Sequence, residues 1–181
     1  MKSFWLRSFR ELRSLRVIIG AALLLAISVI LDQFTLELSP TLKIGFGFLV
    51  TGLCGMLYGP VVGGLMGGVG DIVKFIIKPT GTFFFGFTLN AILAGILYGL
   101  FFYKNRVTVL RCVLCKALAN AVINILLNTL WLSILMGKGF YALLVPRVAK
   151  NLIALPIEVF LLWLILSQLS KVFKQNPSLF E

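Results

Sequence analysis

Carboxylate, amide and cationic side chains occur at four places in this chain, at spacings that would let them hold a polar ligand. They are Asp71 with Lys74, Asn90, the series Asn120, Asn124 and Asn128, and Arg147 with Lys150 and Asn151. Side chains three or four residues apart share one face of a helix, so the members of each group would point the same way. A carboxylate and amides recognise N–H and C=O groups, whereas an ammonium or guanidinium binds an anion. The pattern predicts a binding site for a ligand with both kinds of group.

The same inventory gives little support to catalysis. The sequence has no histidine, which is the commonest general base and metal ligand, and its six carboxylates are dispersed. Cys112 and Cys115 have a C-x-x-C spacing, but their setting is apolar and no third or fourth ligand accompanies them. We therefore expect a binding protein that is not an enzyme, with no metal site and no cofactor.

The composition defines the class of protein. Hydrophobic residues make up 60% and charged residues 13% of the 181 residues, which indicates an integral membrane protein. A membrane-crossing helix needs roughly 20 mainly apolar residues, and six runs qualify or nearly do. They cover residues 17–31, 44–58, 61–77, 86–103, 112–136 and 146–172. We predict an all-α fold, a compact bundle of six transmembrane helices; the first two runs are short and either extend at their ends or break within the bilayer.

The positions of lysine and arginine indicate the orientation. Six crossings put both termini on one side, and most of the 17 basic residues fall on that side, which predicts cytoplasmic termini. The predicted organisation is a basic segment at 1–16, a transmembrane domain at 17–172 and a cytoplasmic tail at 173–181. Two interpretations of 1–16 stay open, an interfacial helix and a disordered tail. Because the basic residues flank spans, no nucleic-acid partner is expected.

Small residues indicate how the helices pack. They recur every four residues in the series Gly59, Gly63 and Gly67, in Gly64 and Gly68, and in Ala91, Gly95 and Gly99. Such spacing lets helix backbones approach closely in lipid, so spans two to four should form a tight bundle. Ala22 and Ala26 give span one a similar face, which serves either internal packing or a partner protein.

The polar groups should meet near the outer ends of the spans. Pro146 suits the first turn of span six, which would put Arg147 and Lys150 near the positive end of the helix dipole and favour an anion there. Aromatic residues, including Phe87 and Trp131, would supply flat apolar walls for a planar ring. Asn120 and Glu158 lie deeper, and we interpret them as hydrogen-bonding helix to helix.

Six segments share a pattern of glycine, aromatic and polar residues with a known family: Gly59-Pro60-Val61-Val62-Gly63-Gly64, Gly70-Asp71, Lys78-Pro79-Thr80-Gly81, Phe85-Gly86-Phe87-Thr88-Leu89, Leu127-Asn128-Thr129-Leu130-Trp131-Leu132 and Pro146-Arg147-Val148-Ala149-Lys150-Asn151. Together they resemble the folate-specific substrate-binding (S) component of energy-coupling factor (ECF) vitamin importers. The resemblance implies a protein of the bacterial cell membrane that captures its vitamin outside. It also implies energising partners, a transmembrane coupling protein and two ATPases, with Ala22 and Ala26 docking the former.

A folate ligand would assign roles to the predicted site. Asp71, with Asn124 or Asn128, would meet the pterin edge, Phe87 and Trp131 would sandwich a ring, and Asn90 would lie in the same polar group. The glutamate carboxylates would bind Arg147, Lys150 or Lys74, although the reverse arrangement, with Arg147 on the pterin, is also open. The loop at 33–43, with Glu37, Pro40 and Lys43, is predicted to be a lid.

Other classes of function also fit the composition. The chain would alternatively be a self-sufficient secondary transporter or channel, an S component for another vitamin, or an assembly subunit without a ligand. A proton-coupled carrier would use Asp71 or Glu158 as its titrating group. Besides folate and the energising partners, membrane lipid is expected to contact the outer surface of the helices.

Overall fold

A computed structural model describes residues 8, 12–34, 36–37, 43–79, 82–137 and 139–175, most of which are helical. In these residues, five helices are long and apolar enough to cross a membrane: α1 (Leu15–Gln33), α2 (Gly47–Ile77), α3 (Phe85–Phe102), α4 (Val109–Met136) and α5 (Phe140–Gln175). Between α1 and α2 a short hairpin pairs β1 (Leu36–Glu37) with β2 (Lys43–Ile44) in antiparallel register. The prediction of a helical membrane protein is confirmed at this level.

Helix α2 is broken at Gly59. This glycine has φ 87° and ψ −178°, a conformation that side chains disfavour, and Pro60 follows it. The Cα of Gly55 lies only 3.4 Å from the position that a Cβ on Gly63 would occupy. Eight residues of continuous α-helix would rise about 12 Å, so the chain folds back on itself. The predicted runs 44–58 and 61–77 therefore correspond to two limbs of α2, which we call the first limb (47–58) and the second limb (60–77).

Ser8 closes the turn between the two limbs. Its Oγ accepts a hydrogen bond from the backbone N–H of Val61 at 3.2 Å and donates one to the carbonyl of Tyr58 at 3.4 Å. The Ser8 side chain is fully buried. At this residue the N-terminal segment is packed against the bundle, so the interpretation as a disordered tail does not hold for it.

The second limb of α2 packs against α3 through small residues, as predicted. A Cβ on Gly95 would collide with the carbonyl oxygen of Gly63, and a Cβ on Gly67 would collide with that of Ala91. Gly99 lies equally close to the backbone of Pro60. Backbone contact without intervening side chains is the form of packing that lipid-embedded helices use for close approach.

We expect Gly95→Ala to lower the free energy of unfolding by about 1–3 kcal/mol, because the added methyl group overpacks a contact between two backbones. Thermal unfolding in detergent, followed by circular dichroism, measures the change. Gly139→Ala is the matched control, since a Cβ at Gly139 would have no atom within 4 Å. Equal melting temperatures for the two variants would contradict the packing argument.

Candidate functional site

Three adjoining cavities are lined by residues of all five long helices. The central cavity has a volume of about 320 Å³ and is lined by residues of α1, α2, α3 and α4. The arginine cavity, about 400 Å³, lies between α4 and α5, and the phenylalanine cavity, about 340 Å³, lies beside the start of α3. Asn124 lines both the central and the arginine cavity, whereas Asp71 and Lys74 line both the central and the phenylalanine cavity. Volumes of this size are typical of small-molecule sites.

Asp71 presents its carboxylate where two of the cavities meet. Its Oδ2 accepts a hydrogen bond of 2.7 Å from Thr88 Oγ1 on α3. The Thr88 side chain is buried, so this bond fixes the carboxylate from the side of the protein. Thr88 was not predicted as a site residue, because a single threonine in an apolar run carries no distinctive sequence signal.

Lys74 binds α1. Its Nζ lies 2.5 Å from Asp32 Oδ2 and donates to Ser28 Oγ at 2.9 Å. Both partners line the central cavity together with Lys74. The ion pair therefore joins the end of α1 to the second limb of α2 at the cavity wall. It also neutralises the ammonium of Lys74, which the sequence analysis had offered as a partner for a ligand carboxylate.

An aromatic wall lies beside the phenylalanine cavity, which two of its members, Phe84 and Phe87, line. Trp131 donates from Nε1 to Asn90 Oδ1 at 3.2 Å, and its ring lies 5.6 Å from that of Phe84. Phe84 in turn meets Phe87 edge to face at 5.9 Å. A Cβ on Gly86 would lie 2.6 Å from the indole, so only glycine leaves room for this wall. Asn90 thus orients the tryptophan, a role that its sequence position did not indicate.

The series Asn120, Asn124 and Asn128 lies in and next to a π-helical segment of α4. Residues Ala119–Leu127 form a π-helix. Such wide helical turns are rare in proteins, and those that occur often lie at functional sites. Asn124 Nδ2 donates to Asn120 Oδ1 at 2.8 Å, and Asn128 lines the arginine cavity. The predicted spacing assumed a regular α-helix. Nothing in the local sequence indicates the π-helical turns.

A buried ion pair lies at the base of the site. Lys116 Nζ is 3.1 Å from Glu158 Oε2, with the two side chains 3% and 13% exposed. The ammonium also lies 3.9 Å from the ring centroid of Phe48. The long side chain of Lys116 therefore points into the bundle toward Glu158. The interpretation of Asn120 is supported, since its Nδ2 donates to Glu158 Oε2 at 3.2 Å.

Arg147 approaches α4 from the interior of α5. Its Nη1 donates to the carbonyl of Asn124 at 3.5 Å, and Asn151 Nδ2 donates to the carbonyl of Arg147 at 2.9 Å. The prediction that a helix starts at Pro146 was wrong, because α5 begins at Phe140 and proline is tolerated inside membrane helices. The positive charge of the arginine cavity therefore comes from the side chains of Arg147 and Lys150, with no contribution from the N-terminal end of the α5 dipole.

The structure also describes parts of the predicted docking face and lid. Ala22 and Ala26 are exposed on α1. In the hairpin, Glu37 lies opposite Lys43, whereas Pro40 is outside the described residues. Gly45 and Gly47, which follow β2, line the central cavity. The hairpin thus ends beside the site.

A bundle of apolar helices with polar groups around three adjoining cavities is typical of a membrane protein with a small-molecule site, and comparison gives its family. Residues 16–166 match the family described as ECF transporter, substrate-specific component, and the chain belongs to that family. It is a component of a membrane transporter and not an enzyme.

Relatives and a solved structure narrow the comparison. The chain is 34% identical over 152 residues to "Folate transporter FolT" of Clostridium novyi, covering 84% of this chain and 88% of the relative. It is 31% identical over 144 residues to "Folate transporter FolT" of Leuconostoc mesenteroides, covering 76% and 77%. The structure titled "Crystal structure of FolT bound with folic acid" is similar with a TM-score of 0.76 and 38% identity, over 83% of this chain and 92% of that chain.

Proposed function

We propose that this chain is the folate-binding S component of an ATP-driven ECF importer, which captures folate outside the cell and delivers it inward. The observation that carries the proposal is the adjoining set of three cavities, which combines acceptor groups, an aromatic wall and cations. Folate has three matching parts: a pterin edge with N–H donors, flat rings and a glutamate with two carboxylates. The folate-transporter names of two relatives and the folic-acid complex of a structural neighbour support the same ligand.

The pterin edge fits the central cavity. Asp71 and Asn124 both line it and both carry oxygens that accept hydrogen bonds. Phe87 and Trp131 belong to the connected aromatic wall and would flank the ring system. Asn128, on the arginine-cavity side, would meet the remaining polar atoms.

The glutamate carboxylates fit the arginine cavity. Arg147 and Lys150 line it together, and two cations suit two carboxylates. Lys74 is a weaker candidate, because Asp32 already neutralises it. This distribution favours Arg147 on the carboxylates over the reverse arrangement.

The transmembrane topology that we propose has six crossings and cytoplasmic termini. The reversal of the chain at Gly59 supports counting the two limbs of α2 separately. The central cavity is lined by the ends of the two limbs that are remote from the Gly59 turn. Cytoplasmic termini would put that turn inside and the site outside.

The proposed partners are a transmembrane coupling protein and two cytoplasmic ATPases. Membership of the family supports an energising module. Helix α1 buries only Val17 and Ser28 among its residues, and Ala22 and Ala26 lie on its exposed side. That face would dock the coupling protein, and lipid would cover it in the unassembled chain.

Titration of the detergent-solubilised chain with folic acid, followed by tryptophan fluorescence, tests the proposed ligand. Saturable one-to-one binding is expected, with no response to riboflavin, biotin or thiamine. Binding of one of these controls instead would indicate an S component for another vitamin. Folate uptake by vesicles containing this chain alone would favour the self-sufficient carrier.

We expect Trp131→Phe to remove most of the folate-induced change in fluorescence, because Trp131 belongs to the wall against which the rings would lie. The affinity, measured by calorimetry, should fall by less than tenfold, since phenylalanine keeps a flat apolar surface. Trp163→Phe is the matched control, because Trp163 packs against the core cluster of Leu162 and Leu166. A signal lost with Trp163 and kept without Trp131 would contradict the proposed ring position.

Bound folate should protect the loop at 33–43 from proteolysis. The hairpin of this loop leads into Gly45 and Gly47, which line the central cavity, so an occupied cavity would favour a closed hairpin. Limited proteolysis with and without folate, with cleavage sites identified by mass spectrometry, measures the effect. The loop at 103–108 is the internal control, and equal cleavage of 33–43 in both samples would argue against a lid.

A further inference from the structure

The carboxylate of Glu158 is the common acceptor of a buried network. Its Oε2 binds both Lys116 Nζ, at 3.1 Å, and Asn120 Nδ2, at 3.2 Å. Lys116 and Asn120 are each 2% exposed. A buried carboxylate is costly without a cation, and Lys116 supplies that cation. A charged carboxylate accepts hydrogen bonds and donates none.

This acceptor sets the direction of the next hydrogen bond. Asn120 must turn its NH₂ group toward Glu158, which leaves its Oδ1 on the opposite side. That oxygen accepts from Asn124 Nδ2 at 2.8 Å. Asn124 is thereby turned as well: its NH₂ group faces Asn120, and its Oδ1 is the group left to face the ligand space.

Asn124 occupies the position where this direction matters. It lines both the central and the arginine cavity, and its own carbonyl accepts from Arg147 Nη1 at 3.5 Å. Asp71, another acceptor, lines the same central cavity. An amide side chain that is free to turn can present either its NH₂ group or its oxygen to a ligand. In this network the NH₂ group of Asn124 bonds to Asn120, so Asn124 presents its oxygen.

We propose that Glu158, held by Lys116, is a positioning residue that fixes the polarity of the Asn120–Asn124 pair, so that Asn124 offers an acceptor oxygen to ring N–H groups. This inference rests on the proposed function, since the N–H groups are those of the pterin. Glu158 also lines the arginine cavity, but the effect on the pterin would pass through Asn120 and Asn124.

Glu158→Gln tests the inference, because glutamine has nearly the same shape but carries both a donor and an acceptor. The Asn120 amide would then lose its fixed direction, and Asn124 with it. We expect about tenfold weaker binding of folate and of pteroate, which contains the pterin. Binding of 4-aminobenzoylglutamate, which lacks the pterin, should change less than twofold when measured by competition.

The double variant Asn120→Asp/Glu158→Gln supplies the rescue. An aspartate at 120 accepts from Asn124 Nδ2 in whichever way it is turned, so folate affinity should return to within about threefold of the wild type. Asn105→Asp is the matched control for exchange of amide and carboxylate, because Asn105 is exposed and bonds only locally to the carbonyl of Phe101. Melting temperatures of all variants report their folding.

The outcomes separate the two proposals. Failure of the wild type to bind folate overturns the proposed function and this inference with it. A wild type that binds, with Glu158→Gln unchanged or weakened equally toward both fragments, overturns the inference alone. A folded double variant that binds as poorly as Glu158→Gln also overturns it.

Discussion

Asp71→Asn is expected to weaken folate binding by at least tenfold while leaving the fold intact. The substitution keeps the size of the side chain and the bond from Thr88 but removes the negative charge. It also puts an NH₂ group where the pterin N–H groups require an acceptor. A hydrogen bond to a charged group is worth about 1.5–3 kcal/mol, and an opposed donor adds a desolvation cost. Isothermal titration calorimetry of the detergent-solubilised variant measures the change.

Two controls accompany this variant. Asn105→Asp exchanges the same two functional groups at an exposed position and should bind folate as the wild type does. Thr88→Val removes the donor that orients Asp71, and we expect a smaller loss, of about threefold to tenfold. An unchanged affinity in a folded Asp71→Asn protein would remove Asp71 from the ligand contacts.

The second large effect is expected when both cations of the arginine cavity are removed. Arg147→Gln/Lys150→Gln should lower folate affinity by about 10- to 150-fold, the range for losing a hydrogen bond to a charged group. Pteroate lacks the glutamate, so its affinity should fall by less than threefold. The ratio of folate affinity to pteroate affinity, measured by competition, should therefore fall toward one.

Lys78→Met is the contrasting variant. Lys78 is exposed and lines the phenylalanine cavity, at the other side of the central cavity. It should leave the preference for folate over pteroate nearly unchanged. If instead the arginine-cavity variant lost folate and pteroate equally, Arg147 would belong to the pterin and the reverse arrangement would hold.

Much of the fold could be predicted because the bilayer restricts the possibilities. Apolar runs of sufficient length identify the helices, and the four-residue spacing of Gly63, Gly67, Gly95 and Gly99 identifies the α2–α3 contact. The break at Gly59-Pro60 was also visible, since those two residues interrupt helices for known reasons. Helix ends were less predictable: α5 continues past Pro146 toward its N-terminus because a proline inside a membrane helix does not force a start.

The candidate site could be predicted as a set of residues but not as a network. Ionisable and amide groups stand out in an apolar chain, so Asp71, Asn124 and Arg147 could be proposed from their type, and all three line adjoining cavities. Their partners were not found, because the Lys116–Glu158 and Lys74–Asp32 pairs join residues far apart in sequence. Such pairs depend on which helices become neighbours and how they rotate, which periodicity does not specify.

The buried pair between α4 and α5 also imposes an order on biosynthesis. Lys116 leaves the ribosome about 40 residues before Glu158, an interval of about 2–8 s at ordinary rates of translation. During that interval the ammonium has no carboxylate from α5, but it lies in the first turns of α4 and its flexible side chain can reach the lipid headgroups. Once α5 is in place, Glu158 can pair with Lys116, whose side chain is 3% exposed in the folded bundle. Docking of the last helix is therefore the step at which the buried ion pair between α4 and α5 can form.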